Sequence, residues 1–393
     1  MKILFVSDTY YPHLNGVYYF VCRLAPLLRE RGHDVAVLAP SESTHFTQTK
    51  IDAIDVYGVP SVSSLFYPKV RLPVPLLLTS RVNQVLDCFN PDVIHIQDHF
   101  VISKTVVREN KKRGIPIIGT NHFMPENLTA LLPGGKWRKS LETRLWSGFA
   151  RVYNQLLLVT TPTETAARLI RPALHVPVIA ISSGIDLKKF NPAGGKERIR
   201  EKYGIPAGPL LLYVGRLDPE KKLEQALKAV ALAAGTADFH FVIVGRGISK
   251  PSLERLTKEL GITTRTIFTG FVPEEDLPYF YTCSRCFIIP STAELLSLST
   301  LQAMASGLPV IAVNAGALGE LVQDKSNGFL CNTGDIPAMA QCIVDIVNND
   351  ELYAGMSAKS LEYIPAHDIH ATVESFERLY ERQGMNAVLA YDK

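Results

Sequence analysis

The chain has 393 residues, 47% hydrophobic and 20% charged, with 26 Gly, 25 Pro and a net charge of +3. That composition excludes disorder, collagen-like repeats and coiled coil. The charge is unevenly spread: residues 1–185 carry 20 Lys and Arg against 13 Asp and Glu, and residues 186–393 carry 21 against 25. A basic N-terminal half fits an anionic partner such as a membrane surface or phosphate. A nucleic-acid binder fits poorly, since no basic run extends beyond Lys111-Lys112-Arg113.

At about 100–200 residues per domain, the length predicts two domains, each able to bury its own core. Short apolar runs alternate with helical patterns from the start. Ile3–Ser7 reads as a buried strand, Phe20–Arg31 as an amphipathic helix stopped by Gly32, and Val35–Ala39 as the next strand. Val93–Ile96, Ile115–Thr120, Leu156–Thr160 and Val178–Ile181 repeat the strand pattern. Apolar strands without polar alternation imply a parallel sheet covered on both faces, hence a doubly wound α/β domain.

The pattern then restarts. A join rich in breakers, from Ser182 to Pro192, leads to strands at Leu210–Val214, Phe239–Val244, Thr266–Thr269, Cys286–Ile289 and Pro309–Ala312, with a helix at Leu223–Ala234. The expected domains are therefore 1–183 and 184–369. His370–Arg382 reads as a helix in a terminal segment, 370–393, free to pack back on the N-terminal domain.

Six Cys are scattered, and Cys283 and Cys286 form a lone CxxC without a second pair. Reduced thiols in a cytosolic protein fit this better than a disulfide framework or a zinc site. The opening Lys2–Val6 meets Ser7-Asp8 too soon for a secretory h-region of about 7–15 residues. No stretch approaches the about 18 apolar residues of a spanning helix. The expected location is cytoplasmic, with room for peripheral attachment to the inner face of a membrane.

The turn after the first strand lacks GxGxxG, which counts against a dehydrogenase, and no P-loop pattern occurs. Gly16 in that turn lies shortly before a helix, where a residue without Cβ lets backbone N–H groups approach a phosphate. The second half opens on Val214-Gly215-Arg216-Leu217-Asp218-Pro219-Glu220-Lys221. Arg216 by its fork and Lys221 as a point charge could clamp a diphosphate. The competing reading is a solvated loop paired internally through Asp218 and Glu220. Further on, the pattern predicts a helix over Ser299–Ser306, with Gly307 as its C′ residue and Pro309 just beyond. Glu294 falls in the loop before that helix, whose N-terminus suits phosphate.

These motifs resemble those of the retaining glycosyltransferases of family 4, which have the GT-B fold. The likeness lies in the Gly-bearing first loop, VGR-L-x-x-x-K at 214–221, PSTAELLSLSTLQAMASGLPVIA at 290–312 and AGALGELVQDKSNGFL at 315–330, and it covers nearly the whole chain. It implies an α/β fold of two doubly wound Rossmann-like domains facing a cleft, the N-terminal one binding acceptor and the C-terminal one binding nucleotide-sugar. It also implies transfer of a hexose from a nucleotide-sugar donor, UDP-glucose first and GDP-mannose next, to a hydroxyl with the anomeric configuration kept, giving an alpha-glycoside. No cofactor and no metal are implied. By motif position, Arg216 and Lys221 hold the diphosphate beside Gly215, and Glu294 is the first acid of the Glu-x7-Glu motif, on the donor sugar. His122, in Thr120-Asn121-His122-Phe123, matches the cleft histidine near the donor's C6 hydroxyl; Gly16, Leu298 and Ser299 complete the donor contacts.

The chain departs from the family at the motif's second Glu, which is Gln302 here, and an amide lacks charge assistance toward a ribose hydroxyl. Leu295 and Ser297 replace the motif's usual glycines. The stretches NGV at 15–17 and PDVIHIQDHF at 91–100 resemble the membrane-lipid members, which implies a lipid acceptor. Phe66–Pro73 and Lys136–Arg151 mix aromatics with cations, and both Trp residues, Trp137 and Trp146, fall in the second, as an interfacial helix requires. The competing reading is a helix whose Trp residues face the core. Other readings of the same fold are a nucleotide-sugar epimerase, a phosphorylase, or a non-catalytic nucleotide-sugar binder weakened at Gln302.

Overall fold

A computed structural model describes residues 1–11, 16–64, 71–122, 136–191 and 194–381, the side chains of 136–139 excepted. The chain forms two compact units, one of residues 1–183 with the helix Ile369–Glu381, the other Gly184–Asp368.

In the first unit the strands are β1 (Lys2–Val6), β2 (Asp34–Pro40), β3 (Thr47–Ile51), β4 (Ile54–Val59), β5 (Ser61–Ser63), β6 (Arg71–Pro73), β7 (Val93–Ile96), β8 (Ile117–Thr120), β9 (Leu158–Thr161) and β10 (Val178–Ala180). Eight of them form one sheet in the order β10-β9-β8-β7-β1-β2-β4-β3, parallel except for β3, and β5 pairs with β6 as a separate ribbon. Leu4 and Val6 of β1 bury into one core, Ile3 and Phe5 into the other, which is why the run shows no polar alternation. The β3–β4 hairpin is absent from the sequence reading. Its first strand is polar, and Asp52 and Ala53 make the turn at φ of 49° and 64° without the Gly that marks such turns.

The first helix, Gly16–Glu30, starts four residues ahead of Phe20, because Val17 extends its buried stripe of Phe20, Val21, Leu24 and Leu28. The helix Ile369–Glu381 returns to this unit. Its Val373, Phe376, Leu379 and Tyr380 pack in the same core as Phe20 and Leu24. Tyr380 Oη lies 2.8 Å from Nδ1 of the buried His95, and Glu377 lies 2.9 Å from His33 Nε2.

The second unit carries β11 (Leu210–Val214), β12 (His240–Val244), β13 (Thr266–Gly270), β14 (Cys286–Ile289), β15 (Val310–Val313) and β16 (Gly328–Cys331). They form a wholly parallel sheet in the order β13-β12-β11-β14-β15-β16. Cys286 packs on one face of this sheet and Cys283 in the core of the other, so the CxxC pair forms no common site. No helix among the described residues is long and apolar enough to cross a membrane.

Candidate active site

Doubly wound sheets bind ligands outside the carboxyl ends of their strands, where the strand order reverses. The second unit reverses between β11 and β14. Lys221 lies in the loop after β11 and Glu294 in the loop after β14, and Lys221 Nζ is 2.7 Å from Glu294 Oε1, both side chains mostly buried. The Glu294 backbone is held from outside. Ala317 N–H donates to Glu294 O at 2.9 Å, and Gly316, at φ +55°, sits so close that a Cβ would lie 2.7 Å from that oxygen.

Arg216 answers to the competing reading. It is largely exposed, bonded to Asp218 and, at 2.6 Å, to Glu220 Oε1. Gly215 directly follows β11, and its N–H donates to Val244 O at 3.0 Å. Tyr213, two residues before it, is buried and donates from its hydroxyl to Arg216 O at 2.8 Å. Burial and then the nearby Glu294 hold that phenol well above its ordinary range, so it stays a neutral donor.

The predicted helix over Ser299–Ser306 is Leu298–Ala305, with Gly307 just past it at φ +71°. Ser297 is its N-cap, its hydroxyl accepting from Thr300 N–H at 3.2 Å. The departure from glycine at 297 thus supplies a side-chain cap. The N–H groups of Leu298 and Ser299 have no partner among the described residues, which leaves two donors at the positive end of the helix. Gln302, one turn on, is engaged: Tyr281, fully buried, donates its hydroxyl to Gln302 Oε1 at 2.8 Å. Nothing in the sequence flags Tyr281, because its contact depends on how helix Leu277–Thr282 meets helix Leu298–Ala305.

In the first unit the order reverses between β1 and β7. Asp8, after β1, caps the helix Val101–Asn110 by accepting from Ile102 N–H at 2.7 Å and Ser103 N–H at 3.1 Å. Asp98, after β7, accepts from Asp8 N–H at 2.6 Å and Ser103 Oγ at 2.7 Å. Burial, and next the charge of Asp98, push the Asp8 carboxyl well above its ordinary range. Sequence reasoning missed this pair, whose members are joined only by sheet order.

His122 follows β8. Its Nε2 lies 3.1 Å from Gln97 Oε1, and Gln97 Nε2 donates to His95 O at 3.4 Å. That orientation makes Gln97 Oε1 the acceptor, so His122 carries its proton on Nε2 and leaves Nδ1 as an acceptor. Burial, with Arg23 second, lowers its pKa to about 4, so the ring is neutral at pH 7. Gly16 is the first residue of its helix and is exposed.

Residues 66–70 of the Phe66–Pro73 stretch lie outside the described residues, as do Asn15 and the side chains of 136–139 with Trp137. Trp146 answers to the core-facing reading. It packs on the first unit's core, its ring perpendicular to Phe149 at 5.3 Å, because helix Lys136–Tyr153 turns that face inward.

Two family models match consecutive parts of the chain, Glycosyltransferase Family 4 over residues 14–189 and Glycosyl transferases group 1 over residues 195–362. The chain is 27% identical over 369 residues to the GDP-mannose-dependent alpha-mannosyltransferase of Corynebacterium glutamicum, covering 90% of this chain and 83% of that protein. It is 27% identical over 338 residues to the alpha-monoglucosyldiacylglycerol synthase of Streptococcus pneumoniae, covering 84% and 75% respectively. The solved sucrose-phosphate synthase of Thermosynechococcus elongatus shares the fold, with a TM-score of 0.77 at 18% identity over 97% of this chain and 98% of that one.

Proposed function

Because this chain belongs to the family 4 glycosyltransferases and has the GT-B fold, we propose that it moves a hexose from a nucleoside-diphosphate hexose to a lipid hydroxyl. The anomeric configuration is retained and the product is an alpha-glycoside. The observation that carries the reading is the Lys221–Glu294 pair in the loops after β11 and β14, with the two N–H groups that open helix Leu298–Ala305 unpartnered among the described residues.

As the bond from the sugar C1 to the diphosphate breaks, negative charge grows on the departing oxygen. A fixed cation and a helix N-terminus stabilise charge that develops at that point. Lys221 exchanges Glu294 for a diphosphate oxygen when donor binds, and the freed carboxylate accepts from a sugar hydroxyl. Arg216 acts second, since it must first leave Asp218 and Glu220. Gly215 and Gly16 leave room for phosphate, Leu298 and Ser299 donate from the backbone, and Gln302 meets the ribose. His122, neutral, offers Nδ1 to a sugar hydroxyl. No metal enters this reading, so EDTA leaves turnover unchanged.

The relative named for GDP-mannose puts that donor ahead of UDP-glucose, reversing the order the motifs suggested. The pneumococcal relative's name favours a diacylglycerol-type acceptor. Melting curves with UDP, GDP, ADP and the matching nucleotide-sugars test the donor. A ligand at about 100 times its Kd adds about 2.7 kcal/mol, a plain rise in Tm. A rise with GDP and GDP-mannose alone is expected; a rise with UDP and UDP-glucose alone restores the other donor, and no rise with any nucleotide overturns the reading.

A further inference from the structure

Two thiols of the second unit take no part in the chemistry above. Cys331 ends β16 and Cys342 sits midway along helix Ile336–Asn348, with their sulfurs 3.9 Å apart. A disulfide needs about 2.05 Å, so the sulfurs must close by about 2 Å. Packed side chains already rest in rotamer minima, so part of that closure falls on the backbone. β16 is the last strand of its sheet, beyond β15, and an edge strand yields more readily than an inner one. Cys331 is buried and Cys342 partly exposed, which leaves the pair open to a small reagent from one side.

The contact also divides the labour between the sulfurs. Cys342 donates its S–H to the Cys331 sulfur, and that hydrogen bond lowers the Cys331 thiol from its ordinary value. The sulfur that ionises more readily is the nucleophile. As thiolate, Cys331 attacks one oxygen of hydrogen peroxide and becomes the sulfenic acid. The hydroxide released takes up the proton that the thiol gave up. The Cys342 sulfur then displaces the sulfenic oxygen, which leaves as water with the Cys342 proton. Two electrons pass from the sulfurs to the peroxide, and two waters form.

From Cys331 a backbone path leads to Glu294. Cys331 O accepts from Asn314 N–H at 2.8 Å, and Asn314 opens the loop in which Gly316 and Ala317 hold Glu294 O. We propose that peroxide joins Cys331 to Cys342, and that the bond draws the end of β16 from Asn314 and loosens the seat of Glu294. The bond forms whether or not sugar is transferred; its effect on turnover rests on the role given to Glu294 above.

Mild hydrogen peroxide treatment of the full chain, followed by peptide mass, tests it. No Lys or Arg stands between the two cysteines, so both fall in tryptic peptide 326–359. That peptide should lose about 2 Da, two hydrogens, and regain them in dithiothreitol. Cys342→Ser should show no such loss. In oxidised wild type, but not in oxidised Cys342→Ser, amide exchange at Asn314 and Ala317 should quicken about tenfold. There kcat should also fall about tenfold, through misplacement of Glu294. Oxygen gained by the exposed Cys88 shows that peroxide has acted. Cys88 oxidised with peptide 326–359 unchanged would overturn the bond. A bond formed with unchanged exchange at Asn314 and Ala317 would overturn the link to Glu294. Absence of turnover before peroxide would count against sugar transfer, while mass and exchange still decide the dithiol.

Discussion

Lys221 Nζ and Glu294 Oε1 meet at 2.7 Å although 73 residues separate them, joining the loops after two adjacent strands. Each side chain is mostly withdrawn from water, so each is the other's main electrostatic partner. Lys221→Ala and Glu294→Ala should each lower kcat about 100- to 1,000-fold, the scale of losing one preorganised charge-stabilising group. Release of nucleoside diphosphate under saturating donor reads this. Turnover within a few-fold of wild type in both variants would remove the pair from the site.

Gly316 offers a subtler probe of the same carboxylate. A Cβ there would stand 2.7 Å from Glu294 O at a φ of +55°, so Gly316→Ala must push back the Glu294 loop. The variant should keep a cooperative melt, lowered by about 1–3 kcal/mol of strain, and lose at least about tenfold in kcat through misplacement. Unchanged kcat would show that the Glu294 position is not critical.

Tyr281 and Gln302 separate binding from chemistry. In Gln302→Glu the buried Tyr281 hydroxyl donates to a carboxylate, and a charged acceptor returns to the ribose position. Donor KM should fall about tenfold, one charge-assisted bond's worth, with kcat little changed. Tyr281→Phe leaves Gln302 Oε1 without its donor and should cost about 1–3 kcal/mol in stability. A Gln302→Glu variant with unchanged KM would take residue 302 out of the donor site.

Acid should weaken the first unit. Burial lowers His122 and His99 to about 4 from 6.5, and places His95 well below 6.5 as well. The unfolded chain thus takes up protons between pH 6.5 and 4 that the fold refuses. The stability these neutral rings contribute is complete above 6.5 and lost as pH falls through that window. Asp8 works the other way: its raised pKa lets the fold keep a proton that the unfolded chain has lost above 3.8, which favours the fold at lower pH. Three imidazoles outweigh one carboxyl. Tm should be about 5 °C or more lower at pH 5 than at pH 7, and a Tm equal or higher at pH 5 would contradict the buried-ring account.

Much of the sheet architecture was legible because parallel strands buried on both faces leave unbroken apolar runs, as in Ile3–Val6 and Leu210–Val214. The helix after Glu294 was legible from its Gly307 stop. The β3–β4 hairpin was not, since Thr47–Ile51 is polar and its turn uses Asp52 and Ala53. Pairings that depend on sheet order or helix packing, such as Asp8 with Asp98 and Tyr281 with Gln302, leave no local pattern. Arg216 shows the converse: its carboxylates lie two and four residues away and were visible in the sequence, and they hold its side chain in the structure.

The most direct measurement is the anomeric configuration of the product. The purified protein is incubated with GDP-mannose, and in parallel UDP-glucose, over diacylglycerol-containing vesicles in EDTA, and the new glycoside is read by the one-bond coupling at its C1. An alpha-glycoside formed with stoichiometric nucleoside diphosphate, and lost in Lys221→Ala, is the predicted result. A beta-glycoside, isomerised donor without transfer, or undiminished product from Lys221→Ala would contradict the account.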